Sequence, residues 1–240
     1  MRVVEPKVEV LEFDPRRIMK NVELIGRVCY KSEDKITPAS ADKMVRLWID
    51  RGHEAMLEHA IISVKLTCDR GVTHEVVRHR LDSFAQESTR YCNYGSDKFA
   101  GQVTFIKPSW FEYGASTYND ILSGKTNGDF LKDTEADWLQ QMSCAESSYL
   151  RLLELGWSAQ EARSVLPNSL KTEIWWTANL REWRHIFGLR AAKPAHPQMR
   201  QLMIPLKCFL TSALPAVFDS ISYDPDFPVE QLAKVSWYED

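Results

Sequence analysis

The sequence predicts an α+β or α/β fold, on three observations. Apolar residues at helical spacing recur along the chain, with short period-two segments interspersed among them. Helix start and stop signals outnumber strand signals. No Pro/Gly/Ser-rich linker, internal repeat or low-complexity tract breaks the 240 residues, and 44% are hydrophobic, which is enough to bury a full core. A single domain over residues 1–240 is therefore expected.

The elements follow in order. Val8 to Phe13 (VEVLEF) alternates like a strand, and Asp14-Pro15 then supplies an N-cap followed by proline at the first helical position. Ile18, Val22, Ile25 and Cys29 would form the apolar stripe of that helix. Thr37-Pro38 repeats the start signal for a second helix carrying Met44, Val45, Trp48 and Ile49, and Gly52 stands where a left-handed C-terminal residue is wanted, so His53 falls just past a helix end. Ile62, Val64 and Leu66 alternate with polar residues as in a strand buried on one face. Asp69-Arg70-Gly71 would turn the chain into a helix from about Thr73, whose last turn delivers Arg78-His79-Arg80 to the rim of a sheet.

Residues 112–129 are polar and glycine-bearing, the composition of an excursion loop. A long helix is expected from Glu135 to Leu155, with Gly156 as its stop. Ser158 to Glu161 is a capping-box sequence, and Pro167 limits the short helix containing Arg163. Thr172 to Thr177 reads as a strand. Asn179 with Glu182 caps a helix carrying Trp183, Ile186, Phe187 and Arg190. The final helix begins near Pro197 and should bend at Pro205.

Charge and composition restrict the function. The formal net charge is −3, so a broad basic footprint for duplex DNA is absent. MRVVEPKVEV lacks the apolar core of a signal peptide, and no stretch approaches the ~20 apolar residues that cross a bilayer, so a cytoplasmic protein without membrane attachment is expected. Five scattered cysteines without a CxxC pair indicate neither a disulfide framework nor a structural zinc site.

Two basic islands stand out against this background. Residues 78–91 read RHRLDSFAQESTRY, where Arg78, Arg80 and Arg90 are spaced around Ser83 and Ser88, residues that favour turns and caps. From Arg181 to Arg200 lie five basic residues and one acid. Guanidinium forks bind phosphate and carboxylate by paired charge-assisted hydrogen bonds, so both islands suggest focused sites for anionic ligands. His53, His59, His74 and His79 raise the question of a metal, but the two histidines of HEAMLEH are six apart and would not share a helical face, so no metal site is expected. Cys92 beside the basic loop is more simply a small half-buried residue than a nucleophile. Trp175, Trp176, Trp183 and Phe187 could stack on a flat ring, but their density suits a core or a subunit interface. Two other function classes compete. A module for single-stranded RNA would combine arginine with aromatics but lacks their alternation in strands. A metal-dependent nucleotide hydrolase would rest on the histidines alone.

Arg78-His79-Arg80 followed after seven residues by Ser88 fits RHRx7S, and the chain resembles the flavin-dependent thymidylate synthases. GHEAMLEHA (52–60), the loop through Arg90 and Tyr91, ARSVLP (162–167), TANLREWRHIFGLR (177–190) and AHPQMR (195–200) look like that family's blocks in its order. The resemblance implies an α+β fold with a central, mostly antiparallel sheet flanked by helices. It implies reductive methylation of dUMP to dTMP, with methylenetetrahydrofolate giving the carbon, NADPH the reducing equivalents and FAD the hydride, and no covalent cysteine adduct. It also implies a homotetramer whose active sites lie at subunit interfaces.

By the same resemblance, His53, Ala55, Arg78, His79, Arg80, Gln86, Asn179, Leu180, Arg181 and His185 belong to the FAD site. Glu75, Val76, Val77, Arg78, Gln86, Glu87, Ser88, Thr89, Arg90, Arg163 and Arg190 belong to the dUMP site. Arg190 is the candidate catalytic residue, placed at N3 of the uracil. Glu75, Ala55 and His185 stand where many members carry other residues.

Overall fold

The computed structural model describes residues 1–239. In chain order its strands and α-helices are β1 (Arg2–Val4), β2 (Lys7–Val10), α1 (Pro15–Val28), α2 (Ala41–Asp50), β3 (Ile61–Asp69), α3 (Arg70–Val76), β4 (Ser83–Gln86), β5 (Thr104–Ile106), α4 (Ala115–Leu122), α5 (Asp133–Glu154), α6 (Ala159–Ala162), β6 (Lys171–Asn179), α7 (Leu180–Arg190), α8 (Pro197–Ala213), α9 (Pro215–Phe218) and β7 (Lys234–Trp237). A five-stranded sheet has the order β4-β6-β3-β2-β7, and β1 pairs with β5 separately. The larger sheet is mixed and mostly antiparallel, with β7 parallel to β2. The class is α+β, as expected. No helix among the described residues is long and apolar enough to cross a membrane.

The chain forms two compact units that are interleaved in sequence. Unit 1 comprises Met1–Pro6, Thr67–Val76 and Ala85–Ile174; unit 2 comprises Lys7–Leu66, Val77–Phe84 and the chain from Trp175 onward.

In unit 2, Asp14 caps α1 by accepting from the Arg16 and Arg17 amides, as its sequence predicts. The buried face differs from the expected stripe. Met19, Val22, Glu23, Gly26 and Arg27 are buried, whereas Ile18 and Ile25 are half-buried and Cys29 is exposed. The cause is a buried ion pair beside a close approach. Arg27 donates to Glu23 Oε1 from Nε (3.1 Å) and Nη2 (2.8 Å), and a Cβ on Gly26 would come within 2.4 Å of the Trp48 ring. Helix α2 starts at Ala41 rather than at Thr37-Pro38, and Gly52 closes it with φ +71°. The strand expected from Val8 to Phe13 ends at Val10.

Strand β3 buries Ile62, Val64 and Leu66, and the Trp183 indole on α7 donates to the Ile62 carbonyl at 3.1 Å. Trp176, Trp183, Phe187 and Phe218 are fully buried, with successive ring centroids 4.9 to 5.6 Å apart, so three of the aromatics that could have stacked on a flat ligand form the core of this unit.

In unit 1, Asp69 accepts from the Val72 amide (2.7 Å) and starts α3 at Arg70, three residues earlier than expected. Helix α3 ends at Val76, so the Arg78-His79-Arg80 triplet lies in the following turn instead of the last helical turn. The polar stretch at 112–129 is not a bare loop: it holds α4, whose Tyr118 is fully buried. Helix α5 ends at Glu154, and Gly156 follows with φ +95°. The Ser158 to Glu161 capping box forms both of its bonds. Phe105, Tyr94 and Tyr149 centre the core here.

Candidate functional site

Unit 2 contains a cavity of about 1020 Å³ built by the turn after α3 and by α7. Asn179 positions α7 by accepting from the Glu182 amide at 2.8 Å. With Trp183, Ile186 and Phe187 buried, the opposite face turns Arg181, His185 and Leu189 toward the cavity. From Arg181 to Arg190 this face runs about 14 Å along the helix.

The lining holds five arginines (Arg78, Arg80, Arg181, Arg184, Arg190) against three glutamates (Glu54, Glu58, Glu182). The glutamates fix particular arginines. Glu58 accepts from Arg181 at 2.5 Å, and Glu54 from Arg184 at 3.2 Å. Arg78 and Arg80 are exposed and have no hydrogen-bond or ion-pair partner among the described residues. They are the guanidinium groups most available to an anion.

His79 is buried beneath them, its ring 5.5 Å from Trp176. Its Nε2 accepts from Arg190 Nε at 3.0 Å, and its Nδ1 lies 3.5 Å from Glu182 Oε1. Burial lowers its pKa, the Arg190 guanidinium lowers it further, and Glu182 opposes both. The ligand atoms of His79, Glu182 and His185 lie within 4.8 Å of one another, close enough for a metal ion. Yet the lone pair on His79 Nε2 is held by Arg190, and arginines crowd the cavity, so the donor set does not suit a cation.

Asp82 stands beside this group. Trp176 donates to its Oδ2 at 2.6 Å, while its Oδ1 is buried without a partner among the described residues. Burial pushes the carboxyl up to about 6 against that hydrogen bond, and Glu182 adds to the rise. An unfolded aspartate titrates near 3.9, so between about pH 4 and 6 the folded chain keeps a proton that the unfolded chain has lost. Stability therefore falls as pH rises through that window, and the loss persists at neutral pH. Asp82→Asn, which still offers Trp176 an oxygen, is expected to raise Tm near pH 7 but not near pH 4. Equal Tm gains at both pH values in thermal scans would remove charge burial as the cause.

Unit 1 contains a smaller cavity of about 420 Å³, lined in part by Arg70, His74, Thr89 and Arg163. Arg163 donates to Thr89 Oγ1 at 3.0 Å, joining two residues distant in sequence. Ser88 Oγ accepts from the Arg90 amide (3.3 Å), and its carbonyl accepts from the amides of Tyr91 and Cys92, so the loop curls around Ser88. Arg90 is exposed, with its guanidinium 5.5 Å from the Tyr91 ring centre.

The expected site residues therefore divide. The unit 2 cavity gathers Arg78, His79, Arg80, Asn179, Arg181, His185 and Arg190. His53 lies outside that lining, its Nδ1 2.5 Å from the Tyr30 hydroxyl, and Ala55 begins a short 3₁₀ turn behind Glu54. Leu180 is buried with its amide on the Ala60 carbonyl, and Val77 is exposed beside the triplet. In unit 1, Thr89 and Arg163 share the smaller cavity, while Glu75, Val76, Gln86, Glu87, Ser88 and Arg90 do not line it.

Two of those side chains are held by their own unit. Gln86 donates to Thr73 (3.0 Å) and Thr172 (3.2 Å), and Glu87 accepts from Tyr94 (2.9 Å) and Lys171 (3.1 Å). Ser83 opens β4 rather than a turn. Sequence reasoning counted Arg184 in the second basic island and Glu182 in a helix cap, but gave neither of them, nor Glu54 or Glu58, a place in the larger cavity. For the glutamates the only signals were the surplus of acids in the chain and, for Glu54 and Glu58, their place in HEAMLEH.

The chain is similar to known proteins over most of its length. The family model described as "Thymidylate synthase complementing protein" matches residues 13–216. The chain is 33% identical over 215 residues to a flavin-dependent thymidylate synthase of Corynebacterium aurimucosum, covering 88% of this chain and 81% of that protein. It is 33% identical over 220 residues to that of Mycobacterium bovis, covering 88% and 80%. Among solved structures, the UMP/dUMP methylase PolB of Streptomyces cacaoi bound with 5-Br dUMP shares the fold at a TM-score of 0.69 and 18% identity, covering 91% of this chain and 96% of that one. The family model and the relatives lead to one assignment: the chain belongs to the flavin-dependent thymidylate synthase family.

Proposed function

We propose that the unit 2 cavity holds FAD and that the enzyme converts dUMP to dTMP, taking carbon from methylenetetrahydrofolate and reducing equivalents from NADPH. One observation carries this reading: the signature arginines and α7 arginines converge on a single cavity, with Arg78 and Arg80 uncommitted among the described residues. At about 1020 Å³ the cavity is large enough for an extended dinucleotide, and paired guanidinium groups match a diphosphate. Bound there, FAD would relay the hydride to the transferred carbon.

The chain's own residues have separate tasks. Arg78 and Arg80 neutralise phosphate, while Asn179, Arg181 and His185, with His53, Ala55, Leu180 and Gln86, complete the flavin site. Ser88, Thr89, Arg90 and Arg163 hold the dUMP phosphate and sugar, joined by Glu75, Val76, Val77 and Glu87. Arg190 sits against N3 of the uracil, where a guanidinium stabilises the charge that makes C5 nucleophilic without an enzyme thiol. One catalytic domain over 1–240 and a homotetramer with shared sites complete the reading. It is supported by the interleaving of the two units in sequence and, within unit 2, by exposed Leu81 beside the Arg78-His79-Arg80 triplet, an apolar side chain suited to a second copy.

The test is direct. Purified protein should carry the visible absorbance of an oxidised flavin and release tritium from C5-labelled dUMP only when NADPH and methylenetetrahydrofolate are both present. Flavin-loaded protein that releases none would overturn the assignment of substrate.

A further inference from the structure

We propose that Glu182 and His79 act as positioning residues for Arg190, a Glu-His-Arg chain through the buried His79 that aims the guanidinium at the pyrimidine; this rests on the role assigned to Arg190 above. The geometry fixes the protons. A guanidinium only donates, so His79 Nε2, 3.0 Å from Arg190 Nε, must be the unprotonated nitrogen. The proton therefore sits on Nδ1, the atom facing Glu182 Oε1 at 3.5 Å. Glu182 selects this tautomer, and His79 converts the selection into an acceptor for one of the five N–H groups of Arg190.

Residue Glu182 occupies the third position of α7, where a carboxylate could return to the Asn179 amide as a capping box. Asn179 instead accepts from the Glu182 amide, and the carboxylate faces His79. That choice forgoes a helix-capping bond in favour of the histidine. The other ionisable groups near His79 are His185 on α7 and Asp82, which interacts electrostatically with both Glu182 and His185.

Protonating His79 would place N–H on both ring nitrogens. Arg190 Nε would then lose the acceptor that His79 provides and face a cation, so activity should fall on acidification. His79 titrates below its ordinary value, and Glu182 is the group that raises it. Removing Glu182 should thus do two things: free the tautomer at neutral pH, lowering the plateau rate, and move the acid limb to lower pH.

The experiment compares wild type, Glu182→Ala, Glu182→Gln and Arg190→Ala in the flavin-loaded enzyme. It measures kcat and KM for dUMP by tritium release across pH, together with dUMP affinity by calorimetry across the same range. Glu182→Ala should lose about 10- to 100-fold in plateau kcat/KM, the usual cost of losing the partner that orients a functional imidazole. Its acid limb should shift to lower pH in both rate and affinity. Glu182→Gln keeps an oxygen for Nδ1–H, so it should regain most of the plateau while keeping the shifted limb.

A plateau and limb unchanged in Glu182→Ala, with activity lost in Arg190→Ala, would overturn the positioning chain alone. Near-normal activity in Arg190→Ala would instead remove the role of Arg190 on which the chain depends. If Glu182→Ala does not fold, an unshifted limb in Glu182→Gln overturns the proposal equally.

Discussion

Arg190→Ala is expected to lower dTMP formation about 100- to 1000-fold, the range seen when one electrostatic donor is removed from a developing charge. That corresponds to about 2.7–4 kcal/mol of transition-state stabilisation. The half-buried side chain lies at the end of α7, whose own hold on the core comes from Trp183, Ile186 and Phe187, so thermal stability should change little. Arg190→Lys should recover only part of the rate. A lysine keeps the charge, but its ammonium is a point donor and cannot serve His79 with one group and a planar ring with others. Tritium release together with a melting curve separates the two effects. Near-normal turnover in a well-folded Arg190→Ala protein would exclude this residue from the chemistry.

Arg27→Ala should produce the larger change in stability. Glu23 is 1% and Arg27 6% exposed, and besides its two bonds to Glu23 the guanidinium donates to the Lys35 carbonyl at 3.3 Å. Removing one partner strands a buried charge, which costs about 3–5 kcal/mol, or on the order of 10 °C in Tm for a chain of this size. Replacing both with Glu23→Leu and Arg27→Met should cost less than Arg27→Ala alone, because no charge is stranded. A double variant less stable than the single one would mean that the pair contributes more than it costs to bury.

These two arginines also show what can be read from a sequence. The place of Arg190 at the end of a helix was legible because it follows an N-cap and an apolar triplet at helical spacing, all local signals, whereas its candidate role came from the family resemblance. Arg27 was not legible, because a charged residue four after a glutamate ordinarily lies on a solvated face, and only the close approach of Trp48 at Gly26 turns that face inward. Strands β1, β5 and β7 escaped notice because three or four residues carry too little alternation, and their partners lie far along the chain. Helix α4 escaped for a related reason: eight residues among polar neighbours, with no side-chain cap.

Within the site, the arginine donors were visible and their carboxylate acceptors were not. Arginine in a mildly acidic chain stands out, whereas Glu54, Glu58 and Glu182 blend into the surface acids until folding sets them beside particular guanidinium groups. The role first given to Glu182, as part of a cap, shows the limit. Local spacing identified the position correctly but could not know that His79 would lie within reach.

The pairing of β2 with β7 joins Lys7 to Lys234. On a ribosome adding about 5–20 residues each second, β2 emerges roughly ten seconds or more before its neighbour has been made. Its open edge must wait until β7 has been made, so nascent chains released before then should be handed to chaperones or degraded rather than retained as stable fragments.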